Sequence, residues 1–529
     1  MPAAPRRRLA FHAPFGPPDG ATGNLQEVQD RFVDLSRYTA AGGLASRPDD
    51  RTVRVLVGRK GVGKTIYLRR FQASASDEDS VFAADREADP PATEDVLRVG
   101  QLFDNKTVTE TWQLIWRRAI QRSAMSQLLC LPWLRDHLEP EVADRLRLDF
   151  TGLVPAARTP RPVYAEVSDI LGGVHAAHRL SEHLKHRDWA DLEYWLGKAL
   201  RDAPPMYLYI DAVDDHFQRA PMYWLKCQKG LFLEIMRLLQ SDLGRRLHVV
   251  VCVRDLVLSS VLRSEHGSRY RRSPHIRLLE WDIRSIGYFL AEKIRRLGAA
   301  FMLQPSKSGI EGWLGRTTIG NPARGVEEHV EDYLLRHTRL IPRDVVDLGN
   351  ALCEQVAELK AEGARSMPDD RLRRVVGDVA RGFADEQIRV CANQIASDQV
   401  PALGGRDGSA DYFVGSHEYS DGCAEEVVAL LEELGGDRFG RDAVERLADL
   451  GHERFGGHQH IVDVLWQNGL LGHDSMEPGA EHAHFYSPTG ADSFHLPADK
   501  DSYVLHPCVP HRVRLRHVGR VPVRGYRRS

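Results

Sequence analysis

The segment Val53-Arg-Val-Leu-Val57 runs directly into Gly58-Arg-Lys-Gly-Val-Gly63-Lys64-Thr65, and no other stretch restricts the fold of this chain as strongly. Apolar, β-branched residues enter the motif, and Ile66-Tyr-Leu-Arg-Arg-Phe71 leaves it with helical spacing. The pattern predicts a strand, a glycine-rich turn and a helix in succession. Gly58, Gly61 and Gly63 permit a tight backbone turn whose N–H groups, including those of Arg59, Lys60 and Val62, face an anion at a helix N-terminus. Lys64 supplies a point charge for β- and γ-phosphates, and Thr65 a hydroxyl where Mg²⁺ sits. These residue types, so spaced, imply a site for a nucleoside triphosphate.

Two further apolar runs extend the argument. Met206-Tyr-Leu-Tyr-Ile210 reads as a buried strand ending in Asp211, the Walker B pattern, in which the acid holds Mg²⁺ directly or through water. Ala212-Val-Asp214-Asp215 brings two more carboxylates to the same edge, although acid clusters also simply end strands and cap helices. Leu247-His-Val-Val-Val-Cys-Val253 is a third strand, ending in Arg254, where a guanidinium would stabilise charge on a γ-phosphate. Strands of this kind joined by long helical connections predict an α/β fold, a parallel sheet covered by helices on both faces.

Composition sets the limits around this core. A chain of 529 residues holds about two to four domains with ample core. Seventy-one Lys and Arg against 74 Asp and Glu give a net charge of −3, so no global field points to nucleic acid. The seven cysteines, at 130, 227, 252, 353, 391, 423 and 508, are scattered without a C-x-x-C pair. That argues for a reducing cytoplasm and against a disulfide framework or zinc ribbon. No apolar run reaches the length of a membrane-spanning helix, and the basic start, Met1 to Arg8, lacks the hydrophobic stretch of a secretory signal. The Ala/Arg/Gly-rich usage has a bacterial character.

Ile210-Asp-Ala-Val-Asp-Asp215 resembles the Walker B of the signal-transduction (STAND) ATPases, with their KAP and origin-recognition-like relatives, within the AAA+ superfamily. Arg254 fits the sensor-1 position of that class, and His275-Ile-Arg-Leu-Leu-Glu-Trp281 looks like its fifth core strand. Trp281 to Leu290 resembles the opening of the helical lid. Leu340-Ile-Pro-Arg343-Asp resembles the lid's Pro-Arg-Asp helix, whose arginine serves as sensor 2. Phe15-Gly16 and the helix near Val28–Phe32 are similar to the family's N-terminal lead-in. The resemblance implies ATP and Mg²⁺ as cofactors, with Thr65 and Asp211 on the metal. It also implies Arg254 and Arg343 at the γ-phosphate, hydrolysis with Asp214 or Asp215 as base, and a homo-oligomeric active form. One position departs from the wider superfamily: Ala212 stands where many members carry the glutamate that polarises water. An aspartate reaches less far, so the expected hydrolysis is slow, with nucleotide binding almost without turnover as the alternative.

Ser264-Glu-His-Gly-Ser-Arg269-Tyr-Arg271-Arg272 lies where the family presents an arginine finger to a neighbouring subunit, with Arg271 the favoured candidate; the alternative is a solvated basic loop. Residues 105–203 form an insertion that a minimal ATPase does not need. It is expected to contain helices Thr109–Leu129, Ser168–Lys185 and Trp189–Leu200, the first with Trp112, Leu114, Ile115 and Ile120 on an apolar face and Arg117, Arg118 and Arg122 on a polar one. Its tryptophans serve either core packing or a partner-docking face.

The expected organisation is a lead-in (1–50), an ATPase core (51–281), a helical lid (282–400), a glycine-rich linker (401–420), a small α+β winged-helix-like domain (421–506) and a basic tail (507–529). In the winged domain, helices Ala424–Leu434, Asp442–Leu450 and Gln459–Asn468, ended by Gly469, precede two short segments, His484–Tyr486 and Tyr503–Leu505, expected to pair as a hairpin. Its third helix carries Asp463 and no Lys or Arg, which speaks against major-groove reading. The tail holds arginines 512, 514, 516, 520, 524, 527 and 528 without an acid, either a phosphate-binding arm or a solubilising end. Glu481-His-Ala-His484 puts two imidazoles on one face of a strand but lacks further metal ligands.

Three functional classes follow. The first is a regulatory ATPase switch in a bacterial antiviral defence or signalling complex, with a protein partner supplying the effector, since no nuclease, deaminase or protease constellation is visible. The second is a DNA-associated initiator or loader using the winged domain and tail. The third is a nucleotide-dependent scaffold.

Overall fold

The computed structural model describes residues 13–18, 32–33, 52–78, 80–87, 93–103, 107–154, 159–172, 176–211, 221–262, 267–321, 325–399, 410–455, 461–477, 480–486, 495–513 and 515. The chain divides into two compact units, one of Gly23–Phe32 and Thr39–Glu280, the other of Met1–Thr22, Val33–Tyr38 and Trp281–Ser529.

In the first unit, β1 (Val55–Val57), β2 (Phe82–Glu87), β3 (Met206–Ile210), β4 (Leu247–Val253) and β5 (Ile276–Leu278) form an all-parallel sheet in the order β2-β3-β4-β1-β5. β1, β3 and β4 are apolar runs because helices cover both faces, and β1 and β3 are buried throughout. The chain leaves β1 toward the β2 edge but leaves β4 toward β5, on the opposite side. Neighbouring parallel strands whose connections depart in opposite directions leave a crevice at their carboxyl ends. The sheet therefore opens between β1 and β4, where the glycine-rich turn and Arg254 emerge. The core is of the α/β parallel-sheet kind, compatible with a phosphate-loop protein.

The helices of this unit are α1 (Lys64–Ser76), α2 (Thr93–Leu102), α3 (Val108–Cys130), α4 (Pro132–Arg135), α5 (Pro140–Leu148), α6 (Val163–Gly172), α7 (Ala177–Leu184), α8 (Asp188–Asp202), α9 (Pro221–Leu238) and α10 (Asp255–Leu262). The helix expected over 168–185 is two helices, α6 and α7. Trp112, Trp116 and Trp189 are fully buried, so they are core residues rather than a docking face. The polar face expected for α3 is also corrected, because Arg118 and Arg122 are buried. Other helices of the insertion wrap α3, and they carry the partners that make this burial tolerable. Arg122 lies 2.6 Å from Glu166, and the Arg118 guanidinium sits 4.7 Å from the Trp189 ring centre. Burial pushes Arg118 down to about 10. The insertion is anchored on α9 at Gly230, where an added Cβ would stand 2.6 Å from the Trp112 Cβ and 2.8 Å from the Gln113 amide. Trp116 Nε1 donates to the Cys227 carbonyl at 3.0 Å across the same seam.

The second unit begins with α11 (Ile283–Arg295). Asp282 and Ser285 close a capping box there, and Trp281 packs edge-on against Phe289. α12 (Gly309–Leu314), a hairpin of β6 (Thr318–Asn321) and β7 (Val326–His329), α13 (Val330–Arg336), α14 (Pro342–Ala361) and the 31-residue α15 (Asp369–Gln399) follow. Phe15 is part of this core, 5.2 Å from Trp313 and pressed so closely on Gly349 that a Cβ there would meet its ring at 2.3 Å. Residues 28–31, where the lead-in helix is expected, lie outside the described residues.

α15 belongs to two hydrophobic cores: Leu372 and Val376 pack with the preceding helices, whereas Phe383, Ile388, Cys391 and Ile395 pack with the C-terminal elements. Those elements are α16 (Ala410–Glu432), β8 (Arg438–Phe439), α17 (Arg441–Phe455), α18 (Ile461–Gln467), β9 (Leu471–Glu477), β10 (Ala480–Phe485) and β11 (Tyr503–Leu505), with sheet order β10-β9-β11-β8. Two expectations change. The backbone is helical from Ala410, inside the glycine-rich stretch expected as linker, because the apolar stripe of Val427, Leu430 and Leu431 carries a helix that extends N-terminally. Tyr503–Leu505 pairs with β9 and β8 instead of with 484–486, whose hairpin partner is β9. The seven cysteines are free thiols, and among the described residues no helix is long and apolar enough to cross a membrane.

Candidate functional site

The site is built where β1 ends. Gly58 N donates to the Val253 carbonyl at 3.3 Å, which ties the start of the turn to β4. Gly61 and Gly63 take φ values of +86° and +97°, a region in which a side chain strains the backbone. Gly63 is the N-cap of α1, so no side chain caps that terminus, and the first turn contains no acid. A helix N-terminus that follows a glycine turn in this way is the arrangement that receives a phosphate. Lys64 is 5% exposed, and its ammonium donates to the carbonyls of Gly58 at 2.9 Å and Arg59 at 3.0 Å. The lysine is thus drawn back across the turn it would serve. Val62 is buried; Lys60 and Thr65 are half-buried. Arg59 reaches Asp255, the first residue of α10, at 3.5 Å, so the loops after β1 and β4 are joined by charge.

Asp211 ends β3, one strand beyond β4, and is buried at the same carboxyl edge. Arg86 on β2 donates to its Oδ2 at 2.8 Å. Tyr164 of α6 donates to its backbone carbonyl at 2.6 Å, so the helical insertion touches the acid directly. Neither Arg86 nor Tyr164 was legible as a site residue. Arg86 carries no motif of its own, and Tyr164 lies far from Asp211 in sequence. Arg254 is buried at the end of β4, and its amide donates to Gln228 Oε1 at 3.2 Å. Asp214 and Asp215 lie outside the described residues.

Oxygen donors of the kind Thr65 and Asp211 offer suit Mg²⁺, and a triphosphate suits the glycine turn with its buried ammonium. The residues present therefore fit a Mg²⁺-nucleotide, with the qualification that the Asp211 carboxylate is already engaged by a guanidinium.

Arg269, Arg271 and Arg272 are exposed in the turn before β5, and Arg269 lies on its neighbour Tyr270. Arg343 belongs to the second unit. It is the second residue of α14, and its Nε donates to the Pro18 carbonyl at 3.4 Å. The dominant arginine of that region is Arg339, which sequence reasoning did not single out. It donates to Asp344 through Nε at 2.9 Å and Nη2 at 2.7 Å, to Glu386 at 2.8 Å and to Gln387 at 2.9 Å. Leu340, beside it, has a φ of +55°, a strained value for a leucine. Around this cluster burial and the nearby Asp344 carboxylate push Asp347 up to about 6, and burial with the Arg339 charge pushes His506 down to about 4.

The chain matches no protein-family model, no curated protein and no solved structure.

Proposed function

We propose that this chain is an ATP-binding regulatory switch of the AAA+/STAND type, hydrolysing slowly with Mg²⁺. One observation carries the reading. A glycine turn with two left-handed residues, ending in a buried lysine and an uncapped helix, sits at the sheet's switch point with Asp211 and Arg254 at the same edge. In this reading the turn's amides and Lys64 hold the phosphates and Thr65 and Asp211 hold the metal, which supplies charge neutralisation at the β- and γ-oxygens. Arg254 lies at the edge where a γ-phosphate would develop charge.

Slow turnover is supported by Ala212 in place of glutamate and by the engagement of Asp211 by Arg86. A slow hydrolase suits a switch whose nucleotide state sets oligomerisation, with Arg271 acting across subunits and a protein partner delivering the output in a bacterial defence or signalling complex. The C-terminal helices and small sheet support a winged-helix-like module. The competing reading, a DNA-associated initiator, rests on the arginine-rich tail.

Mass measurement of the intact chain with and without Mg²⁺-ATP tests the switch. The expected result is a larger assembly with nucleotide. Mixing Lys64→Ala with Arg271→Ala protein should then recover hydrolysis that neither shows alone. A monomeric mass in saturating ATP, with no recovery on mixing, refutes the oligomeric switch.

A further inference from the structure

The ion pair between Arg86 and Asp211 depends on an irregularity in β2. Along β2 and β3, Phe82 pairs with Met206 and Ala83 with Tyr207, but Arg86 pairs with Tyr209. Ala83 to Arg86 is three steps on one strand against two from Tyr207 to Tyr209 on the other, so one extra residue is accommodated between them. In a regular register Arg86 would stand opposite Ile210 and face the other side of the sheet, because side chains alternate. The bulge places Arg86 instead on the face of Tyr207 and Tyr209, whose rings stack 6.4 Å apart. That face also meets α1: Tyr209 Oη donates to the Phe71 carbonyl at 3.5 Å. Asp211 follows Tyr209 by two residues and shares this face, so the guanidinium reaches its carboxylate diagonally. Bulges beside active sites re-aim side chains in this way.

We propose that Arg86 is a built-in competitor for the metal: its guanidinium holds the Asp211 carboxylate that a Mg²⁺ ion needs, and so sets the Mg²⁺ concentration at which nucleotide binds. The inference rests on the nucleotide reading above and adds a regulatory residue to it. Both groups are mostly withdrawn from solvent, with side chains 14% and 11% exposed, so the pair is not a screened surface contact. A charge-assisted hydrogen bond of this kind shifts a competing equilibrium by about tenfold to a hundredfold. Arg86 is a positioning residue, since it acts through Asp211 rather than on the phosphates.

The test is binding of a fluorescent ATP analogue to the full-length chain, titrated with Mg²⁺ and repeated in EDTA. Arg86→Met should lower the half-saturating Mg²⁺ concentration by about tenfold or more and leave metal-free affinity unchanged. Arg86→Gln, which keeps a hydrogen-bond donor, should fall between the two and serves if the methionine variant melts early. In an Asp211→Asn background, Arg86→Met should change nothing, because the competition has lost its object. An unchanged or raised Mg²⁺ requirement in a variant that melts like the parent overturns the inference, as does weakened binding in EDTA, which would put Arg86 on the phosphates. Unaltered chain that binds no nucleotide in any condition instead overturns the nucleotide reading on which the inference depends.

Discussion

Replacing Lys64 with alanine isolates the element on which the functional reading turns. The Lys64 ammonium is buried and bonded to the carbonyls of Gly58 and Arg59. Binding a triphosphate exchanges those two bonds for bonds to phosphate oxygens, so the net gain is well below the raw attraction of two charges. A charge-assisted bond contributes about 1.5–3 kcal/mol, which corresponds to about a 10- to 150-fold loss of affinity when the lysine is removed. Nucleotide at 100 times its dissociation constant stabilises the folded state by about 2.7 kcal/mol, and a hundredfold weaker site leaves about 0.4 kcal/mol. For a unit of this size, with Tm moving about 2–4 °C per kcal/mol, ATP should raise the parent's Tm by about 5–10 °C and the variant's by about 1 °C. Calorimetric titration measures affinity directly, and the melting curve without ATP checks the fold. A variant that melts like the parent without ATP and binds it with undiminished affinity would falsify the site assignment.

Arg339→Met should cost about 3–5 kcal/mol, because Asp344, fully buried, is left as an unpaired carboxylate; urea unfolding with a shift under 1 kcal/mol contradicts this. Acid should weaken the second unit between pH 6.5 and 4. His506 titrates near its ordinary 6.5 when unfolded and at about 4 when folded, so its stability is complete above 6.5 and declines by ~3 kcal/mol as pH falls to 4. Asp347, raised to about 6, opposes this over part of the same window, since its stability is lost as pH rises through 6; its partial exposure reduces that effect. His506→Gln should flatten the urea-midpoint profile over that range. Deleting residues 516–529 spares Val513 in the core and the Arg512–Asp385 ion pair. If the tail grips phosphates, the deletion should flatten the salt dependence of random-duplex binding by about one log–log unit per lost contact. Negligible affinity of the intact chain at low salt would instead favour a protein partner for the C-terminal helices and small sheet.

The sequence by itself determined the local parts of the site. Glycines at 58, 61 and 63 between an apolar run and a helical one can satisfy their backbone and steric demands in few ways, so the turn, its strand and its helix were legible from spacing. The same holds for β3 and β4, whose largely apolar runs announce strands buried on both faces, and for Gly469, which takes the left-handed φ of +70° expected after a helix. The tertiary structure decided whatever depends on residues far apart in the chain. Arg118 and Arg122 look like a solvated face until Trp189 and Glu166 are brought against them. Tyr503–Leu505 is too short to declare its partner, and β9 and β8 claim it because they complete the sheet. Arg86 gives no signal at all from its neighbours, since its aim is set by one extra residue in β2 measured against β3. Register is a relation between two strands, and a single stretch of sequence carries only half of it.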